Sequence, residues 1–212
     1  MKDTKVQIAF NALAFQAAWW ACVIGVMQGM PLAGPLAMML FLLINHLWIS
    51  RNSEELQMVL AVGIFGTAID TMLFGGGLIR YEGGYGSALI APLWISAMWM
   101  GFAATIHHAL AWMKKSVWLG FSMGAVFGPL SYWTGHNFGV LNFEQPLLST
   151  LTVLALIWGL TIPLLYKLSS TMGADPDSIA EFESEIPIPG RPENLYDPVN
   201  RKPSFISEFE GA

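Results

Sequence analysis

Apolar residues run through this chain in long stretches separated by short polar joints. A bilayer span needs about 20 mostly apolar residues, each adding about 1.5 Å of helix. Six segments reach that length, at roughly 7–29, 31–50, 56–75, 89–113, 117–138 and 147–168. The pattern predicts an all-α integral membrane bundle of six transmembrane helices within residues 1–169. Lys2 and Lys5 precede the first run as in a signal peptide. The run is too long for one and a second follows at once, so the expectation is a retained helix.

Small residues recur at helical spacing inside these runs. Gly120, Gly124 and Gly128, continued by Ser131 and Gly135, form one stripe; Gly63, Gly66 and Asp70 form another; Ala97, Gly101, Ala104 and His108 form a third. Such stripes let helices approach closely, which points Asp70 and His108 into the bundle. Pro129 predicts a kink in the fifth span, and Gly75–Gly77 end the third.

Composition agrees. The chain is 54% hydrophobic and 12% charged, against about 25% charged in a soluble domain. Twelve Met and nine Trp suit a membrane bundle. One cysteine, Cys22, excludes an intrachain disulfide and a cysteine metal cluster. Basic residues set the orientation. With the N-terminus inside, the inner segments hold Lys2, Lys5, Arg51, Lys114, Lys115 and Lys167, and the outer loops hold only Arg80. Both termini are therefore expected in the cytoplasm. The net charge of −5 belongs to residues 170–212, which carry nine acidic and three basic groups and six of the twelve prolines. That tail is expected to be disordered and cytoplasmic. Phe182, Tyr196, Phe205 and Phe209 are its candidate anchors for a protein partner.

Ionisable groups in hydrocarbon cost several kcal/mol and mark candidate sites. By depth they fall into two layers. The inner layer holds Asn11, Asn45, His46, His107 and His108, with Glu54 and Glu55 just outside it. The outer layer holds Asp70, Thr71, Ser131, Tyr132, Thr134 and His136 under a lid of Arg80, Tyr81 and Glu82. Imidazole is a proton relay and a metal ligand, and His46 with His107 or His108 is geometrically compatible with a two-histidine haem. Structural hydrogen bonding across helices is the competing reading for both layers, with Arg80 or a tyrosine as partner for Asp70. No buried counter-charge is evident beside the histidines. Walker, GxSxG and HExxH signatures are absent, and no basic stripe points to nucleic acid.

Several strings occur together: NALAFQAAWW from Asn11 to Trp20, GPLAM from Gly34 to Met38, Asp70-Thr71 with the following glycines and Tyr81, HHALAW from His107 to Trp112, and GAVFGPLSYWTG from Gly124 to Gly135. Over about residues 7–168 the chain resembles a bacterial family of small polytopic inner-membrane proteins known only as a domain of unknown function. The resemblance implies a compartment and no mechanism; some members carry permease labels and some lie beside lipid-modification genes. The expected function is binding or translocation of a small solute or cation through a polar interior, by Asp70, His46, Asn45, His107, His108, Ser131 and Tyr132. The alternatives are a lipid-modifying enzyme or its accessory subunit, and a haem-binding or scaffold subunit of a larger complex.

Overall fold

The computed structural model describes residues 4–84 and 90–172. The expected tail therefore lies outside the described residues, apart from residues 170–172. Six α-helices follow one another: α1 Lys5–Met27, α2 Ala33–Ile44, α3 Ser53–Gly75, α4 Leu93–Ala103, α5 Val117–Asn137 and α6 Leu147–Thr171. Local chemistry sets their ends. Thr4 and Gln7 form a capping box on α1, and the Asn52 side chain accepts from the Glu54 amide to start α3. Pro92 and Pro146 stand at the caps of α4 and α6. The turns after α1, α3 and α5 need left-handed backbone, which Gly29, Gly77 and Gly139 supply at φ 69°, 66° and 70°.

Helices α1, α3 and α6 are long and apolar enough to cross a membrane. The surface agrees with this. Leu13, Leu40, Ile64, Leu148 and Leu160 are exposed, whereas Asn11, Asp70, Thr150 and Ser169 are fully buried. Polar groups inside and large aliphatics outside is the distribution of an integral membrane protein.

Burial against lipid gains nothing over burial against a helix, so close packing has to hold the bundle. The glycine stripes supply it. A Cβ on Gly34 would lie 2.3 Å from the Cys22 Cα, so α1 and α2 touch backbone to backbone. A Cβ on Gly124 would lie 2.3 Å from the Trp158 carbonyl oxygen, which joins α5 to α6 in the same way. Gly66 and Gly128 do something different. Their missing Cβ atoms leave room for indole rings, since a Cβ there would come within 1.9 Å of Trp99 and 2.2 Å of Trp158.

Two short strands, β1 Ile79–Tyr81 and β2 Leu141–Phe143, pair antiparallel with Arg80 opposite Asn142. This ribbon, absent from the sequence reading, ties the turn after α3 to the turn after α5. Ile79 and Tyr81 point inward and Arg80 outward.

Two expected spans are interrupted. In the second, α2 ends at Ile44 and a π-helical turn runs over Asn45–Ile49. In the fourth, α4 ends at Ala103, residues 104–110 form non-helical turns, and a 3-10 turn covers Ala111–Lys115. His107 and His108 thus lie off the helical face of Ala97 and Gly101. They are buried nonetheless, held by the contacts described below.

Candidate functional site

At the ribbon end, Asp70 is fully buried on the α3 face that also carries Gly63 and Gly66. Its Oδ1 accepts from the hydroxyls of Tyr81 at 2.5 Å and Tyr132 at 2.6 Å, and its Oδ2 accepts from Trp99 Nε1 at 2.5 Å. One carboxylate therefore joins α3, α4, α5 and the β-ribbon. Burial, with the carboxylate beside it, holds the Tyr81 phenol well above its ordinary pKa, so it remains a donor. The Trp99 ring stacks on Trp158 of α6 at 4.5 Å and 9°, bringing the last helix into the same knot. Arg80 does not reach Asp70. It pairs at 2.9 Å with exposed Glu144, while Glu82 accepts from Asn142 at 3.2 Å. The expected lid is a surface ladder of the ribbon. Ser131 donates to the Gly128 carbonyl at 2.7 Å on its own helix, and His136 stacks on Phe143 at 4.6 Å.

At the opposite end, a second network spans α1, the π-helical turn, α3 and the segment after α4. Asn11 donates to Asn45 Oδ1 at 2.8 Å, Asn45 donates to Glu55 Oε1 at 3.4 Å, and the same oxygen lies 3.0 Å from His108 Nε2. Glu55 is the correction here. The sequence pattern puts it just outside the inner layer, yet it is buried and its carboxylate lies against the His108 ring. The missed signal was spacing. Because Asn52 starts the helix at Ser53, Glu55 falls on the stripe of Met58, Val59, Val62 and Gly66. Asn11 has a further task, for its Nδ2 donates to the Ala104 carbonyl at 2.9 Å and its Oδ1 accepts from the Ala109 amide at 3.3 Å. It thereby satisfies backbone groups that the break in α4 releases. His107 Nε2 lies 2.6 Å from the Ser169 hydroxyl on α6, and Tyr166 donates to the Leu110 carbonyl at 2.7 Å. His46 stands on the π-helical turn beside Asn45, half-buried.

Between the two networks the core is apolar, with Met38, Met58 and Val62 fully buried. Beside it, a cleft of about 610 Å³ separates α1 and α4 from α5 and α6. Six of the nine tryptophans line it: Trp19, Trp20, Trp94, Trp99, Trp112 and Trp158. The polar lining is Gln16, Thr105, Ser131, Tyr132 and Thr134. All but Gln16 spend their hydroxyls inside the protein. Thr105, Ser131 and Thr134 donate to carbonyls one turn back and Tyr132 donates to Asp70. Of the candidate residues, Ser131, Tyr132 and Thr134 face this cleft.

The chain belongs to the family described as a protein of unknown function (DUF2878), whose model matches residues 8–164. Neither the curated proteins nor the solved structures contain a match to it.

Proposed function

For this member of a family without an assigned activity, we propose a six-span inner-membrane protein of bacteria, with both termini cytoplasmic, that binds the hydrocarbon part of a membrane lipid in the cleft between α1 and α5. The observation that carries the reading is the lining of that cleft. A pathway for a hydrated solute or cation needs polar groups free to replace water. Here the hydroxyls are donated elsewhere and, apart from the Gln16 amide, the remaining surface is indole, phenyl, thioether and aliphatic. Ligand sites of this apolar kind fix orientation through a few polar groups and take most of their contact from aromatic side chains. The packed Met38–Met58–Val62 core between the two polar networks argues in the same direction, since it separates them with hydrocarbon. The Lys and Arg bias supports the orientation, and the break at residues 104–110 fits a backbone buried within protein at membrane depth.

A phospholipid with a diazirine on its acyl chain, added to the purified full chain and irradiated, tests the proposal. Adducts mapped by peptide mass spectrometry should concentrate on Phe15, Met98, Met123 and Phe127. Ala12→Trp, which fills the cleft from an exposed position on α1, should suppress them. Adducts spread evenly over outward-facing residues such as Leu40 and Leu156 would overturn it.

A further inference from the structure

The two ends of the cleft differ in closure and in charge. At the ribbon end the edge of Trp20 meets Phe138 at 5.4 Å and 90°, and Trp94 Nε1 donates to the Glu82 carbonyl at 2.9 Å. Aromatic rings and ribbon backbone close that end, and the charged side chains nearby are mainly carboxylates, Glu82 and the Glu144 already paired with Arg80. At the other end the lining finishes with Leu110, Trp112 and Met113, and Lys114 and Lys115 follow directly. Their backbone makes the placement specific. Ala111–Lys115 is a 3-10 turn, in which residues three apart lie on the same side. Lys115 therefore stands over Trp112, a cleft-lining indole that is itself half-exposed. An indole at the cleft mouth with an ammonium above it matches a chain whose apolar part enters the cleft and whose anionic head remains at the mouth.

We propose that the cleft selects a phospholipid with an anionic headgroup, seated at the Trp112–Lys115 mouth with its acyl chain running toward Trp99 and Tyr132. This rests on the reading of the cleft as a lipid site and adds headgroup class and direction.

The test uses the full chain in dodecyl maltoside and the same diazirine lipid. Unlabelled dioleoyl phosphatidylglycerol or dioleoyl phosphatidylcholine competes for the adducts on Phe127 and Met123. Phosphatidylglycerol should compete better by about fivefold, the factor that the Lys115 ammonium near an anionic head supplies. The double variant Lys114→Gln/Lys115→Gln should lose that preference and keep the adducts. Lys5→Gln/Lys167→Gln, which removes the same charge elsewhere at that end, should keep the preference. Equal competition by the two lipids in the native chain would overturn the headgroup assignment and leave the cleft reading intact. So would loss of preference in the Lys5/Lys167 variant, which would reduce the effect to general surface charge. Absence of cleft adducts from either lipid would instead overturn the cleft reading itself.

Discussion

The chain buries two carboxylates, Asp70 and Glu55, and the surroundings they receive are opposites. Asp70 sits in the last two turns of α3 among three donors from three other elements, each of them on regular helix or strand. Glu55 sits in the first turn of α3, facing an asparagine on the π-helical turn and a histidine in the non-helical segment after α4. A fully satisfied buried polar group rigidifies its neighbours, because every alternative arrangement strands a donor. The Asp70 node is therefore a fastening for the bundle. The Glu55–His108 network is held together by backbone that has left the helical ladder and is satisfied from α1, so it is the region with local alternatives.

The largest expected effect comes from crowding the node. In Gly66→Ala the new Cβ would sit 1.9 Å from Trp99 Cδ2. Trp99 cannot retreat without leaving Asp70 and the Trp158 stack. Membrane yield and size-exclusion profile should show loss of folded protein; a normal profile would mean that the indole moves freely. Asp70→Asn comes next. With its carbonyl toward the tyrosines, Asn turns an N–H donor toward the Trp99 N–H; flipped, it leaves both tyrosine hydroxyls without their acceptor. Either orientation strands a buried donor, which costs about 3 kcal/mol where the lost acceptor was charged. Thermal melting of the purified variant should fall clearly, and unchanged melting would remove Asp70 from its fastening role.

How much of this could be read from the residues differs between the two regions for a physical reason. Asp70 was legible because glycines four and seven residues before it marked its helix face, and helical periodicity survives folding intact. Its partners were less so. Tyr81 reaches it through a β-ribbon whose strands are three residues each, too short for a periodic signal. The glycine stripes were legible as close contacts, while the identity of what fills them was not, since a missing Cβ admits a backbone or an indole equally. At the other end, the run from Ala103 to Trp112 carries helix-compatible residues without glycine or proline. Its break follows from tertiary contacts, Asn11 to Ala104 and Ala109 above all, and these outweigh local propensity. Glu55 was hidden by its neighbour, because Glu54-Glu55 looks like a solvated pair until the helix start at Ser53 assigns the two to different faces.

The break itself can be loosened without touching the node. Asn11→Ala removes the acceptor of the partly buried Ala109 amide and the donor to the buried Ala104 carbonyl. A global cost of about 2 kcal/mol is expected. The sharper readout is amide hydrogen exchange, which should accelerate over residues 104–110 and stay unchanged around Asp70 and Trp99. Equal acceleration at both ends would mean that the two regions open as one unit and that the contrast drawn between them does not hold.

Glu55→Gln makes at the second carboxylate the same chemical change as Asp70→Asn makes at the first. Here the amide oxygen can still accept from Asn45 and from His108, so a cost of about 1 kcal/mol is expected, well below that at Asp70. If melting shows the two variants to be equally damaging, Glu55 is a fastening of the same rank.

Arg80→Gln sets the lower bound of the series. The pair with Glu144 has good geometry at 2.9 Å, but the Arg80 side chain is 63% exposed and the Glu144 side chain 36%. Exposed pairs contribute roughly 0–1 kcal/mol, because water screens the charges and two long side chains must be held still. The ribbon does not depend on the pair, since its ladder bonds and the inward Ile79 and Tyr81 remain. Melting should shift little, and exchange around Asp70 should not change. A large loss would mean that Arg80 acts through the ribbon on Tyr81, which would extend the Asp70 fastening to the surface and reinstate the charged lid as part of it.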